Sequence, residues 1–366
     1  MSKLITRLLC LLPVVILVVT LNYTQDPARL FNTVIEHQIS DAMRDGSNFE
    51  LYPSNYNERM VQRLFIQSNE SDVDIVTIGS SRAMQVDSAL FQNQTFQNHS
   101  VSGATIEDIV AIFYMYLEQD NLPDHIILGL DPWMLNANNG QTRWTTLDTE
   151  YRGFLNIINL GGDTFSTQNQ LLTAIDTRYF ELFSPTYFQA SLRHLLNNLV
   201  NPEEFAPVAR RTTATISNNT IRLTDGAISY PAIIRDRTSE QVAEIAAQYT
   251  QDTPVYSLGN FVEIDPELSH IMESFINYLL LNNIEITILL SPYHPVTYDR
   301  LINQTEYRII EDVENYYRQF AITHNIRLIG SFDPMIAGCD ENEFYDAMHP
   351  KYSCIQHIFS QFIQQN

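Results

Sequence analysis

Five short runs that read as strands, four of them ending in polar turns, constrain this chain more than any other feature. Val73 to Ile78 is rich in β-branched residues and ends at Gly79. His125 to Leu130 and Ile284 to Leu290 repeat the pattern, Ile326 to Ile329 is a shorter strand-like run, and the more polar Thr95 to Val101 reads as a second strand closed by Ser102-Gly103. Runs this short and this continuously apolar read as strands buried on both faces. Arg82 to Phe91, Ile106 to Glu118, Glu263 to Leu281 and Thr305 to His324 carry helical spacing, and Lys351 to Gln364 closes the chain as a further helix. Thr105 stands as an N-cap ahead of Ile106, and Asp265-Pro266 introduces the helix that runs to Leu281. Strand–helix alternation of this kind predicts an α/β fold, a flavodoxin-like doubly wound parallel sheet. Right-handed crossovers place all its strand C-termini on one rim, where the sites of open α/β sheets gather. Ser81, Gly103, Asp131 and His294 each come just after a strand end, so that rim is where residues distant in sequence are expected to meet.

Between Asn136 and Phe261 the alternation lapses. The stretch is rich in aromatics and arginine (Arg143, Trp144, Tyr151, Arg152, Tyr179, Phe180, Tyr187) and holds a hairpin-like turn at Thr224-Asp225-Gly226. It reads as a mainly helical insertion, about 136–262, set over the rim either as a lid or acceptor platform or as a packing element. Residues 23–70 are mixed and polar, with modest helical periodicity from Asn57 to Ile66, and read as a stalk. Residues 71–366 then read as one domain that contains the insertion. At the start, Lys3 and Arg7 precede an almost wholly apolar run from Leu8 to Leu21. Cations ahead of an apolar run predict a cytoplasmic N-terminus and export of the remaining chain. The run is shorter than the roughly 20 residues of a spanning helix, yet no small-x-small cleavage site stands beyond it. Cys10 lacks the small residue expected before a lipidated cysteine. Residues 1–22 are therefore read as an uncleaved membrane anchor, with a cleaved signal or a buried core helix as alternatives, and the rest as periplasmic or on the cell surface.

Charge narrows the function. The formal net charge is -22, and Lys3 and Lys351 are the only lysines, so the surface repels phosphate backbones and nucleic-acid binding is not expected. No phosphate loop or dinucleotide fingerprint occurs, and His99, His294 and His349 lack metal-ligand spacing, so neither a cofactor nor a metal is expected. Apart from Cys10, the cysteines are Cys339 and Cys354. An oxidising compartment permits a bridge between them, two unpaired thiols being the alternative.

The chemistry lies in two segments near opposite ends of the predicted domain. Gly79-Ser80-Ser81-Arg82 breaks the first strand into a serine turn, and Asp346-Ala347-Met348-His349-Pro350 precedes the last helix. A serine hydroxyl becomes a useful nucleophile when an imidazole takes its proton, and a carboxylate on the far ring nitrogen fixes the tautomer. Asp-x-x-His can aim both side chains at one point, while a serine at a strand-to-helix turn has backbone amides at hand for an oxyanion. Each segment alone also reads as a turn or cap.

Together these residues resemble the SGNH (GDSL-like) hydrolase superfamily, over roughly residues 71–135 and 265–366. Gly79-Ser80-Ser81 matches its first block, which makes Ser81 the nucleophile; Gly103 stands where the second block supplies an oxyanion amide; Asp346-Ala347-Met348-His349 matches the fifth. Ser80 in place of the first-block aspartate resembles the branch holding the D-alanyl-transfer proteins of teichoic acid synthesis, which with the related alginate acetylation proteins are membrane-associated and act on envelope polymers. The resemblance implies a serine esterase or O-acyltransferase acting through an acyl-serine. Its expected partners are an envelope polysaccharide or acyl-ester substrate, the membrane, and a membrane acyl-donor protein. The third block departs from the pattern: Gly129-Leu130-Asp131-Pro132 puts Asp131 where an asparagine donates to the oxyanion, and an ionised carboxylate cannot donate. Asp131 is thus expected to be protonated, turned away, bound to a sugar hydroxyl, or replaced in that role by a hole that relies on the Ser81 and Gly103 amides alone. Arg82 is a candidate for an anionic group or a salt bridge, and His294 for substrate binding or a structural hydrogen bond. The alternative reading is a catalytically silent protein of this fold that binds glycan or scaffolds an envelope assembly.

Overall fold

The computed structural model describes residues 2–27, 31–53, 55–69, 71–160, 178–200, 208–251 and 255–363. Nine strands are described: β1 (Asn48–Tyr52), β2 (Ile75–Ile78), β3 (Phe96–Asn98), β4 (His125–Gly129), β5 (Val208–Thr212), β6 (Thr220–Arg222), β7 (Ile228–Ser229), β8 (Glu285–Leu290) and β9 (Arg327–Gly330). Five of them pair in parallel in the order β3-β2-β4-β8-β9. Counted among themselves they run 2-1-3-4-5, the flavodoxin-like order, with the switch point between β2 and β4.

Alternate residues of these strands serve different layers, as the pleat requires. Val76, Ile78, Ile126, Leu128 and Ile288 face a core shared with helix Pro266–Leu281 and with the helix Ile106–Glu118. Ile75, Ile127, Leu289 and Ile329 face Ile355, Ile358 and Phe359 of helix Tyr352–Ile363. Each such side chain, fully buried, contributes roughly 1.5–3 kcal/mol relative to exposure. Gly79 and Gly129 let the ends of β2 and β4 meet: a Cβ on Gly79 would sit 3.0 Å from the Gly129 Cα.

Residues 34–68 are packed into the body rather than forming a stalk. Helix Val34–Arg44, β1 and helix Glu58–Ser68 place Ile39, Phe49, Leu51, Val61 and Phe65 in the core that holds Val76. Arg59 of helix Glu58–Ser68 is ion-paired with Asp108, 2.6 Å away and buried, in the first turn of helix Ile106–Glu118. Strand β1 sits inside an antiparallel sheet of order β5-β1-β6-β7, so its partners come from the insertion. The insertion therefore contributes three strands as well as helices. The hairpin expected at Thr224-Asp225-Gly226 joins β6 to β7. Residues 161–177, 201–207 and 252–254 of the insertion, and Gln364 of the last expected helix, lie outside the described residues.

Arg82 to Phe91 is not a helix but two 3-10 turns, Ser81–Ala83 and Ser88–Leu90, capped by Ser80 and Asp87. Asn98 explains the interruption. Its amide group donates to Ala83 O (2.9 Å) and Val86 O (2.8 Å), carbonyls that a continuous helix would use.

The N-terminal helix, Ser2–Gln25, docks by its C-terminal end on the insertion, where Asn22 Nδ2 donates to Leu182 O at 2.9 Å. Among the described residues no helix is long and apolar enough to cross a membrane. The side chains of residues 1–11, half of the expected anchor, are not among those described.

Candidate active site

Strand β2 delivers Ser81 to the rim, where Ser80 Oγ accepts from the Arg82 amide at 3.1 Å and starts the turn. Ser81 Oγ lies 2.9 Å from His349 Nε2. On the other side of the ring, His349 Nδ1 is 2.9 Å from both oxygens of Asp346. An ionised carboxylate only accepts, so Nδ1 carries the proton and Nε2 presents its lone pair to the serine hydroxyl. Burial raises the Asp346 carboxyl, but the His349 ring and the amides of Met348 and His349 outweigh it and hold the group down to about 2. It is a carboxylate at neutral pH.

The loop carrying these two residues is held at both ends. Tyr345 N donates to His349 O at 2.9 Å and Lys351 N to Glu343 O at 2.7 Å. Cys339 and Cys354 form a disulfide around it, with Cα atoms 5.3 Å apart. From the insertion, the Tyr230 ring packs edge-on against His349 at 6.2 Å.

Three of the candidate binding residues are internal supports, Arg82 and His294 by the structural alternative open to each. Arg82 is 1% exposed and lies behind the wall of the cavity at Ser81. Its Nη1 donates to Asp131 Oδ1 (2.7 Å), its Nε to Met348 O (3.1 Å) and its Nη2 to Ser291 O, while its guanidinium lies 4.0 Å over the Tyr293 ring. One side chain thus ties the turn after β2 to the ends of β4 and β8 and to the residue before His349. Asp131 is correspondingly turned inward; burial raises its carboxyl against the pull of Arg82. It neither faces an oxyanion nor lines the cavity. His294 caps helix Pro295–Ile302: its Nδ1 accepts from Val296 N (3.2 Å), its ring packs on Phe344 (5.4 Å), and burial lowers its pKa. A polar residue after a strand end is as readily a structural support as a ligand, and these three positions show that outcome.

Gly103 does lie at the site, at φ +57. Among the described residues neither its amide nor that of Ser81 donates to another group of the protein. A cavity of about 630 Å³ opens there, lined by Ser81, Gly103 and His349. Much of its wall comes from residues the sequence reading did not single out: Tyr56 and Glu58 of the supposed stalk, and Tyr230, Arg237, Tyr249 and Tyr256 of the insertion. Glu58 accepts from Ser102 Oγ at 2.9 Å and also from the Ser102 amide, which fixes the loop leading to Gly103. Only the aromatic richness of the insertion signalled such a role.

His99 is buried away from the site between Gln62 Oε1 (2.6 Å) and Tyr116 OH, and burial drives its pKa down to about 3. Among the described residues no three metal-ligating side chains cluster. In comparisons with known proteins, no family model matches this chain and no curated sequence matches it.

Proposed function

We propose that this protein is an SGNH-type serine esterase or O-acyltransferase that acts on acyl esters of a cell-envelope polysaccharide. The observation that carries the reading is the unbroken relay from Ser81 Oγ through the His349 ring to Asp346, every link at 2.9 Å. Ser81 Oγ attacks the acyl carbonyl carbon and passes its proton to His349 Nε2. The ester C–O bond breaks, His349 returns the proton to the departing alkoxide, and the acyl group remains on Ser81. Water or a sugar hydroxyl then repeats the sequence in reverse, giving hydrolysis or transfer. The disulfide accords with an oxidising compartment, and the basic-then-apolar N-terminus with anchorage in a membrane, where a membrane acyl-donor protein would supply the acyl group. The alternative, a silent glycan-binding or scaffolding protein, drew its support from Asp131, which is engaged with Arg82.

A fluorophosphonate probe tests the reading. Wild-type protein is expected to label, while Ser81→Ala and His349→Ala do not, and turnover of a chromogenic acetyl ester falls by about 10⁴-fold or more in both. Folded wild-type protein that neither labels nor turns over ester defeats the proposal. Addition of an oligosaccharide acceptor separates transfer from hydrolysis by the appearance of acylated sugar.

A further inference from the structure

We infer that the Tyr256 hydroxyl is the side-chain donor of the oxyanion hole, in the role that position 131 leaves vacant. This rests on the acyl-serine reading. An acyl-transfer site gains most from donors aimed at the oxygen on which charge develops, and tyrosine is among the side chains that serve. Two backbone donors, the amides of Ser81 and Gly103, are uncommitted among the described residues. A side-chain donor is missing from its expected place, because the Asp131 carboxylate is paired with Arg82.

Tyr256 stands beside the glycine that carries one of those amides. A Cβ built on Gly103 would lie 2.4 Å from the Tyr256 hydroxyl oxygen, 2.5 Å from Arg143 Nη2 and 3.0 Å from Gln141 Oε1, so three polar groups converge on this glycine. Tyr256, Gly103 and Ser81 line one cavity. Arg143 Nη2 donates to the Tyr256 hydroxyl at 3.4 Å, which leaves the phenolic proton for another acceptor and brings positive charge beside the hole. Burial raises the phenol above its ordinary range, with Arg143 opposing, so the proton is retained at neutral pH.

The support is rigid and comes from the segment after β4. Trp133 meets the Tyr256 ring edge-to-face at 5.5 Å and donates from Nε1 to Ala104 O at 3.0 Å, next to Gly103. Asn136 Nδ2 donates to Ser257 O (2.9 Å) and Gln141 Nε2 to Ser257 Oγ (2.7 Å). The β4 connection therefore still builds the hole, but by holding a tyrosine from the far side of the insertion rather than by offering its own side chain.

The test compares Tyr256→Phe, Arg143→Gln and the double variant with wild type, using p-nitrophenyl acetate and the fluorophosphonate probe. Tyr256→Phe keeps the ring and its packing, so its thermal midpoint should match wild type. Its kcat should fall about 10²–10³-fold, as for loss of one oxyanion donor, with KM little changed and Ser81 labelling slowed but present. Arg143→Gln should lower kcat by itself yet add little in the Tyr256→Phe background, because the two act as one unit. A Tyr256→Phe enzyme with kcat within about threefold of wild type, or one changed in KM alone, overturns the inference and leaves the acyl-serine reading standing. A folded wild type that neither labels nor hydrolyses overturns both.

Discussion

At Asp346, burial and hydrogen bonding pull in opposite directions, and hydrogen bonding wins. The folded carboxyl is held at about 2, below its ordinary value of 3.8. A depressed folded pKa means that the unfolded chain takes up the proton first as the medium acidifies. The stabilisation is fully present above about pH 4 and is lost as pH falls through about 2. A shift of this size corresponds to about 2 kcal/mol. Urea unfolding of Asp346→Asn should therefore show a deficit of that order at pH 7 that shrinks markedly at pH 2. An equal deficit at both would show that the carboxylate's charge is not what the His349 loop uses. Ser81, His349 and Asp346 were legible in sequence because their chemistry demands particular side chains at particular spacings. Tyr256 and Glu58 were not, since each acts through neighbours that the chain supplies from far away.

Among the elements, β2, β4 and β8 were readable because each is a short, largely apolar run inside the sheet. The segment after β2 misled for a local reason: Asn98, on the neighbouring strand, takes the carbonyls of Ala83 and Val86, and no window around Arg82 reveals that. Strand β1 was missed for a global one, because its register partners are Val208–Thr212 and Thr220–Arg222. The disulfide is the element-scale device that was anticipated as an option, and it has a measurable effect. Its two cysteines are 15 residues apart, and closing a loop of that length stabilises by about 3 kcal/mol. Replacing both with serine should lower unfolding free energy by about that amount in a denaturant titration. A change under about 0.5 kcal/mol would mean that the turn bonds of Tyr345 and Lys351 hold the loop unaided.

For the molecule as a whole, Arg82 is the point where four segments are joined. Removing one partner of a buried ion pair costs about 3–5 kcal/mol, so Arg82→Met should be destabilised by that much. Adding Asp131→Leu should recover much of the loss, though not all, because Met348 O and Ser291 O still lack their donor. Paired urea titrations read both numbers. A double variant no more stable than the single would show that the carbonyl bonds, rather than the ion pair, dominate.

The antiparallel sheet has a consequence for biosynthesis. A ribosome that has released β4 has already made the serine, its turn and the glycine opposite. At that stage β1 has no edge to pair with, and Tyr56 and Glu58, just beyond it in the chain, belong to a wall not yet built. The nascent chain must carry an open strand until Val208–Thr212 and Thr220–Arg222 emerge, and the histidine arrives later still. Assembly of the chamber thus follows synthesis of the insertion strands and of the His349 loop.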